Sequence, residues 1–239
     1  MRRAIRLRIW QQMPNYRKPA SFLIRESYPL PPYSTVIGMI HNACGFTEYH
    51  DMDLCIQGEN ASETSDYATY YNFGIKYDPI RHQAKVSDGK GGFDGINISP
   101  KSIHVLTDVN LLIYICPKNE NDFDTIINGL KKPVSYLSLG RHEDIVRIDE
   151  ISEIQLQESC EIDEDESYCS KYDMYIPVSM CDLSQGMGTV YSLNKRFDNS
   201  GKTRQWTEIV EAVHEKKDIG LSLKGMFLDS ELGNPVCLG

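Results

Sequence analysis

Residues 3–10, Arg3-Ala-Ile-Arg-Leu-Arg-Ile-Trp10, decide the fold because two kinds of side chain alternate along them. Ile5, Leu7 and Ile9 share one face at period two, which predicts a β-strand. The other face carries Arg6, Arg8 and Trp10. Such a face suits RNA, because guanidinium groups pair with phosphates and indole rings stack on bases. The alternative is an ordinary half-buried strand whose Trp10 is covered by the rest of the chain.

The segment that follows this strand is a basic loop and then a helix. Residues 11–33 contain five prolines, which disfavour helix. The loop's candidate RNA-binding side chains are Arg17, Lys18, Phe22 and Arg25. Ser34 or Thr35 is expected to cap the helix, and Gly45 is expected to end it. Gly38 inside this helix costs about 1 kcal/mol relative to Ala, which suggests close approach of another backbone or of a ligand.

A long β excursion is predicted over residues 67–110. Strands are expected at 67–77 and 97–116, with a break at Pro100 and a glycine-rich, flexible tip at 88–95. The basic candidates of this excursion are Arg81, His82 and Lys85. The glycine cluster lacks the spacing of a phosphate-binding loop, so it does not predict nucleotide binding.

The remaining chain completes an alternation of strands and helices. Residues 46–66 look irregular and polar, 122–130 predict a helix, 137–144 a turn with Arg141 and His142, and 145–156 a strand. Next comes an acidic surface excursion at 158–170. Further strands are expected at 174–178, 189–193, 205–213 and 226–238. A short helix at 204–214 is the alternative to the strand at 205–213. The order predicts an α+β fold that begins with a ferredoxin-like βαββαβ unit. Its two helices would cover one sheet face and leave the Arg6 face open.

Composition and charge narrow the class of protein. The 239 residues are 41% hydrophobic and 25% charged, which excludes general disorder. No apolar run is long enough for a membrane span, no signal core follows the N-terminus, and the seven cysteines lack a CxxC. We therefore expect a cytoplasmic protein without a membrane partner.

The net charge of −9 hides a strongly polarised chain. Residues 1–25 hold seven basic side chains and no acid, whereas residues 149–166 hold nine acids and no Lys or Arg. A local basic surface attracts phosphate whatever the total charge, because screening confines fields to about 10 Å at 0.1 M salt. The alternative is that both runs are solvated faces.

Catalytic and metal motifs are weak. His41 and Cys44 lie one helical turn apart and could share a metal ion, but no third or fourth ligand is identifiable, so no metal and no cofactor are predicted. Metal-independent RNA cleavage needs only a general base and a cation. The pairs Arg81–His82 and Arg141–His142 could supply them, although contact with solvent or RNA is the simpler role.

Two blocks carry a family resemblance: Tyr28-Pro-Leu-Pro-Pro-Tyr-Ser-Thr-Val-Ile-Gly-Met-Ile40 and Leu139-Gly-Arg-His-Glu-Asp-Ile-Val-Arg147. With the basic strand before them, they resemble the CRISPR-associated RAMP proteins of the number-five family, most closely the type I-B branch. The resemblance implies a ferredoxin-like RAMP domain over residues 1–157, an inserted β-hairpin thumb at about 74–98, and a smaller β-rich part over 158–239.

The resemblance also implies a function. Members bind the 5′ handle of crRNA and cap the backbone of the Cascade complex. The implied partners are crRNA, the backbone RAMP subunits, the large subunit and, through the assembled complex, target DNA. The handle contacts implied here are Arg17, Lys18, Phe22, Arg25, Ser34 and Thr35, with Arg141 and His142 as weaker candidates.

Catalysis is not expected. In the type I-C branch this subunit cuts precursor crRNA, but no Lys-His pair of that kind is evident here, since Lys101 and His104 are three residues apart. A metal-independent endoribonuclease on the same fold is the alternative. A third possibility, an interaction module unrelated to RNA, requires that the basic N-terminal face be buried against protein.

Overall fold

The computed structural model describes residues 1–21, 24–158, 168–181, 188–198, 204–218, 220–221 and 225–239. Phe22 and most of the acidic excursion predicted at 158–170 lie outside the described residues. The helices are α1 (Tyr33–Cys44) and α2 (Asp122–Lys131). Neither they nor any other described helix has the length and apolarity to cross a membrane.

The described strands run in the order β1 (Arg2–Gln11), β2 (Ile24–Arg25), β3 (Met52–Glu59), β4 (Ser62–Lys76), β5 (Ala84–Ser87), β6 (Phe93–Thr107), β7 (Val109–Pro117), β8 (Arg147–Glu158), β9 (Tyr168–Cys169), β10 (Asp173–Pro177), β11 (Thr189–Asp198), β12 (Gln205–Glu215), β13 (Gly220–Leu221), β14 (Phe227–Asp229) and β15 (Pro235–Val236).

One large antiparallel sheet organises the molecule. Its nine strands follow the order β11-β12-β10-β3-β7-β1-β8-β14-β15, so β1 lies near the centre. Strands from the last third of the chain extend both edges of this sheet. The division predicted between residues 157 and 158 therefore runs through a shared sheet, and it stays a prediction.

One face of β1 is buried, and the opposite face is buried at Ala4 and Arg6 and half-buried at Arg8 and Trp10. Ile5, Leu7 and Ile9 lie in a core with α1 and α2, as the alternation predicts. The opposite face packs into a second core that includes Ala4 and Leu228. The expectation that the Arg6 face stays open is wrong, because segments that follow residue 170 in the chain cover it.

The excursion predicted at 67–110 is a long hairpin. Strands β4 and β6 pair from Ser62 opposite Thr107 to Lys76 opposite Asp94. Strand β5 pairs with β6, and β2 adds to β6 in parallel. The predicted thumb at 74–98 is the distal part of this hairpin.

Four local expectations need correction. Pro32 occupies the N-cap of α1 and no side chain caps the helix, so Ser34 and Thr35 lie inside its first turn. Pro100 lies within β6, and the chain turns instead at Asp108, whose φ is 51°. The stretch 46–66 contains strand β3, which is buried on both faces and therefore shows no alternation. Residues 205–215 form a strand, so the helical alternative is wrong.

Candidate nucleic-acid interface

A cleft of about 1030 Å³ lies beside the first half of α1. Three parts of the chain supply most of its lining: the proline-rich loop, helix α1 with the turn after it, and the β11–β12 hairpin; Gly140 adds a single further contact. The lining side chains that carry charge or an aromatic ring are Arg17, Tyr28, His41, Phe46, Glu48, Tyr49, Lys195, Arg196, Phe197, Asp198, Arg204, Trp206 and Glu208. The sequence indicated only the first two of these parts as candidate RNA contacts.

Helix α1 contributes its N-terminal turns to this cleft. Tyr33, Val36 and Ile37 are buried on the core side, so the partly exposed Ser34 and Thr35 face outward into the lining. The first amides of a helix lack intrahelical partners, and they attract anionic groups. Two predicted residues therefore lie where a phosphate can approach the helix end.

The proline-rich loop places its basic residues in different surroundings. Arg17 is exposed and lines the cleft. The ammonium group of Lys18 lies 3.3 Å from Glu26 and 5.6 Å from the centre of the Tyr191 ring. Arg25 stacks on Tyr70 of the long hairpin, 3.9 Å from the ring centre, and it is not among the lining residues. Of the loop candidates that the structure describes, Arg17 alone lines the cleft.

The β11–β12 hairpin supplies cations and rings that sequence reasoning missed. The Arg204 guanidinium lies 4.7 Å from the centre of the Phe197 ring, and Phe197 meets Trp206 edge to face at 5.6 Å. Arg196 lies over Tyr49 at 4.5 Å. Trp206 is 40% exposed. The signal was present in the sequence, since Arg196 directly precedes Phe197 on β11 and Arg204 lies two residues before Trp206, at the start of β12.

Carboxylates balance part of the positive charge. The lining holds Glu48, Asp198 and Glu208, and Lys195 lies 3.1 Å from Glu208. No ion pair within the described residues involves Arg17 or Arg196. These two guanidinium groups give the cleft a local cationic character in a chain of net charge −9.

Two titratable groups in the cleft are neutral at pH 7. Burial raises the pKa of the Tyr49 phenol to about 12. Burial also lowers the pKa of His41 below its usual value, although the carbonyl of His50 and the charge of Asp122 oppose that shift. The cleft arginines therefore have an uncharged phenol and an uncharged imidazole as neighbours, and the hydroxyl oxygen of Tyr49 is buried.

A second pocket of about 540 Å³ lies on the other side of α1. Its exposed rim carries Tyr136 and His142, whose rings stack with centres 5.5 Å apart and whose hydroxyl and Nε2 atoms are 2.9 Å apart. Arg141, the neighbour of His142, is tied to Asp144 by an Nη2–Oδ1 hydrogen bond of 2.7 Å. It also donates to the carbonyl of Met13. Arg141 therefore shapes this loop, while His142 faces the pocket.

The hairpin candidates lie away from both pockets. His82 is buried, and its Nδ1 accepts the N–H of Asp78 at 2.9 Å. A Cβ at Gly95 would overlap the His82 ring, so the glycine makes room for it. The Lys85 ammonium lies 4.3 Å from the centre of the Phe93 ring. Arg81 is exposed beside Asp78.

The candidates on β1 are engaged by other parts of the chain. Arg6 is 6% exposed and its guanidinium binds three carboxylates, those of Glu150, Asp229 and Glu231. Arg8 also pairs with Glu150, at 3.0 Å. The Trp10 indole donates to Asp108 and lies under Arg147. The expected platform of Arg6, Arg8 and Trp10 is therefore not presented as an open surface.

The suggested metal pair has other partners. His41 Nε2 lies 3.4 Å from both the backbone nitrogen and the carbonyl oxygen of His50, and the Cys44 thiol points to the carbonyl of Thr125. Within the part of the chain that the structure describes, no group of three metal-ligating side chains comes together.

These features define an α+β protein with a dominant antiparallel sheet, a projecting hairpin and a cleft lined by arginines and aromatic rings. Residues 4–176 match the family of CRISPR-associated proteins described as "CRISPR-associated protein (Cas_Cas5)". The chain belongs to that family, which confirms the resemblance seen in its sequence. No curated protein matches the chain.

One solved structure shares the fold of this chain, and two others are similar chains. The chain matches a protein titled "CRISPR RNA-guided surveillance complex" with a TM-score of 0.56 and 16% identity over 92% of each chain. It also matches a chain of a "Type III-B Cmr-beta bound to cognate target RNA and AMPPnP", with a TM-score of 0.49, 14% identity and coverage of 89% and 84%. A "CRISPR protein from Archaeoglobus fulgidus" gives a TM-score of 0.43 and 11% identity over 99% and 98%.

Proposed function

We propose that this protein is a non-catalytic subunit of a CRISPR surveillance complex and that it binds the 5′ handle of crRNA. The observation that carries the proposal is the cleft beside α1, where Arg17, Ser34 and Thr35 meet the arginines and rings of the β11–β12 hairpin. Membership of the Cas5 family supports the role, and so does the fold shared with a surveillance-complex protein.

The chemistry of the cleft fits single-stranded RNA. Arg17, Arg196 and the first amides of α1 bind phosphate, and Trp206 offers a partly exposed ring for stacking on a base. Single-stranded RNA presents both groups at once, whereas an RNA duplex hides the faces of its bases.

The fold of the proposed subunit is a RAMP fold with a ferredoxin-like unit. The elements β1, α1, β3, β7, α2 and β8 follow the order βαββαβ, and the sheet places their strands as β3-β7-β1-β8 with antiparallel neighbours. That order supports the assignment. The distal part of the β4–β6 hairpin, at about 74–98, is then the inserted thumb.

The proposed partners are the backbone RAMP subunits, the large subunit and target DNA held through the assembled complex. The exposed rings of Tyr67, Tyr71 and Phe73 on the hairpin support a protein or RNA contact there, because large apolar side chains seldom cluster on a free surface. The type I-B assignment and the cytoplasmic location belong to the same proposal.

The absence of catalysis is part of the proposal. Each of the two candidate pairs has one residue that supports local structure. The His82 ring packs against Gly95, and the Arg141 guanidinium donates a hydrogen bond to Asp144. One observation favours the alternative of a metal-independent endoribonuclease: His142 faces the second pocket with its ring against Tyr136. A His–Tyr pair can move a proton, so the assay must follow cleavage as well as binding.

The double variant Arg196→Ala/Arg204→Ala tests the cleft. Labelled RNA with the repeat sequence of the protein's own CRISPR array serves as the probe, and the matched control is Lys131→Ala/Lys132→Ala, which removes two exposed charges from the end of α2. We expect the cleft variant to bind at least about tenfold more weakly than wild type and the control to bind normally. Equal affinities for the two variants would remove the cleft from the interface.

A further inference from the structure

The two pockets beside α1 have three lining residues in common: Thr35, Gly38 and Gly140. On α1, Ile37 and His41 line the first pocket only, and Met39 and Asn42 line the second only. Thr35 and Gly38 therefore lie on the ridge of the helix that separates the two spaces, since residues three apart align along a helix face.

Gly38 keeps that ridge low. A Cβ added at this position would meet nothing within 4 Å, so the glycine is not required by the close packing of another segment. An interior glycine nevertheless costs a helix about 1 kcal/mol relative to Ala. Packing therefore does not explain why this position is a glycine. The free space above it offers an explanation, because any longer side chain would project between the two pockets.

The opposite side of the passage also lacks a side chain. Gly140 has a φ of 110°, and a Cβ there would lie 2.8 Å from both the Asn15 carbonyl oxygen and Asp144 Oδ2. The loop cannot relax away, because Asp144 accepts hydrogen bonds from the backbone N–H groups of Asn15 and Arg141. The passage between the pockets is thus bordered by backbone at Gly38 and at Gly140.

Each end of this passage carries an aromatic pair that exposes at least one ring. In the first pocket Trp206 is 40% exposed and Phe197 meets it edge to face. On the rim of the second pocket Tyr136 is 56% exposed and stacks on His142. Sequence-tolerant proteins that bind single strands combine such stacking rings with a cationic track. Here Arg17 and Arg196 supply the cations on the first side.

We propose that the two pockets form one groove for a single strand of RNA, whose backbone crosses α1 over Gly38 while its bases stack on Trp206 at one end and on Tyr136 at the other. This rests on the proposed function and adds the path of the strand, the second stacking site and a role for the glycine. The local positive charge and the stacking rings select a polyanion with accessible bases as the occupant.

The test uses the full chain, the same labelled repeat RNA with photoreactive 4-thiouridine, and the variants Gly38→Ala, Gly38→Leu and Asn128→Leu. Asn128 is an exposed interior position of α2 that lines neither pocket, so it is the matched control. In the wild type we expect crosslinks to peptides that contain Trp206 and Tyr136. We expect affinity to fall in the order Gly, Ala, Leu at position 38, by about tenfold or more for Leu, with normal binding by Asn128→Leu.

The crosslinks distinguish a blocked groove from a misfolded protein. In Gly38→Leu the crosslink at Tyr136 should disappear while the one at Trp206 remains, and the thermal midpoint should not fall, because both Ala and Leu favour helix over Gly. Equal affinity and unchanged crosslinks in Gly38→Leu would overturn the groove. If wild type binds the RNA but crosslinks at neither ring, the groove is also wrong and the proposed function stands. If wild type does not bind the RNA, the proposed function fails with it.

Discussion

The Nη1 atom of Arg6 donates to Oδ2 of Asp229 at 2.9 Å, which joins the first strand to the C-terminal segment 223 positions later. Both groups are buried, and burial alone would disfavour their charges. Hydrogen bonds nevertheless raise the pKa of Arg6, through Glu150 and Asp229, and lower the pKa of Asp229, through the N–H of Glu231 and the Arg6 guanidinium. The pair thus stays ionised and holds β14 against the sheet.

Asp229→Ala is expected to destabilise the fold by about 3–5 kcal/mol, because it leaves the buried Arg6 guanidinium short of a partner. It also frees the Tyr114 hydroxyl, which donates to Asp229 at 3.0 Å. Urea unfolding measures the loss. The control is Glu153→Ala, which breaks an ion pair of Glu153 with Arg3 at the surface and should cost much less. Comparable losses for the two variants would contradict a structural role for the Arg6–Asp229 pair.

The burial of Arg6 in this pair could not be predicted from the sequence. The alternation in residues 3–10 correctly predicted the strand and its apolar face. It could not show that three carboxylates from distant positions, at 150, 229 and 231, would cover Arg6. An exposed arginine for RNA and a buried arginine for packing look alike in a strand, because the difference lies in tertiary partners.

The residues of the candidate site also fall into a group that the sequence indicated and a group that it did not. The family resemblance indicated Arg17, Ser34 and Thr35. These residues could be identified from a local sequence pattern, because the loop and the helix that carry them are contiguous in the chain. The β11–β12 hairpin lies about 160 residues further along the chain, and long-range sheet pairing brings it to α1. Strand β3 escaped prediction for a related reason, since a strand buried on both faces has no alternation.

Salt dependence tests the loop at the cleft. Arg17→Ala/Lys18→Ala should weaken binding of the repeat RNA and make the plot of log affinity against log salt shallower by about 1 to 2 phosphate equivalents. Most of the change should come from Arg17, because Lys18 is engaged by Glu26. The single variants separate the two contributions. An unchanged slope in the double variant would exclude this loop from the phosphate contacts.

Replacement of glycine by alanine should have opposite effects on thermal stability at positions 58 and 38. A Cβ at Gly58 of β3 would lie 2.5 Å from the Leu111 side chain and 2.7 Å from the Asn110 carbonyl oxygen, so Gly58→Ala should lower the thermal midpoint. Gly38→Ala meets open space and should raise stability by about 1 kcal/mol. Calorimetry of the two variants measures both signs. A stabilised Gly58→Ala protein would contradict the tight contact between β3 and β7.

The buried His214 predicts a pH effect on stability. Burial lowers its pKa, although Asp173 at 3.6 Å attracts the proton, so the folded protein favours the neutral ring. The unfolded chain takes up the proton near pH 6.5. Stability from this group is therefore complete above about pH 6.5 and is lost as the pH falls towards the lowered pKa.

The variant His214→Phe keeps the ring contacts with Tyr175 and Tyr191 and removes the titration. Its free energy of unfolding should change less between pH 7 and pH 5 than that of the wild type, as urea titrations at each pH would measure. If the free energy of unfolding changes equally with pH in the two proteins, the His214 ring does not cause the pH dependence.

We propose that this Cas5-family protein holds crRNA without cutting it. The most direct measurement incubates purified protein with labelled repeat RNA in EDTA and follows binding and cleavage on one gel. We expect a shifted, intact RNA, and the shift should weaken in Arg196→Ala/Arg204→Ala. A discrete cut that disappears in His142→Ala would contradict it and would make the protein a processing endoribonuclease.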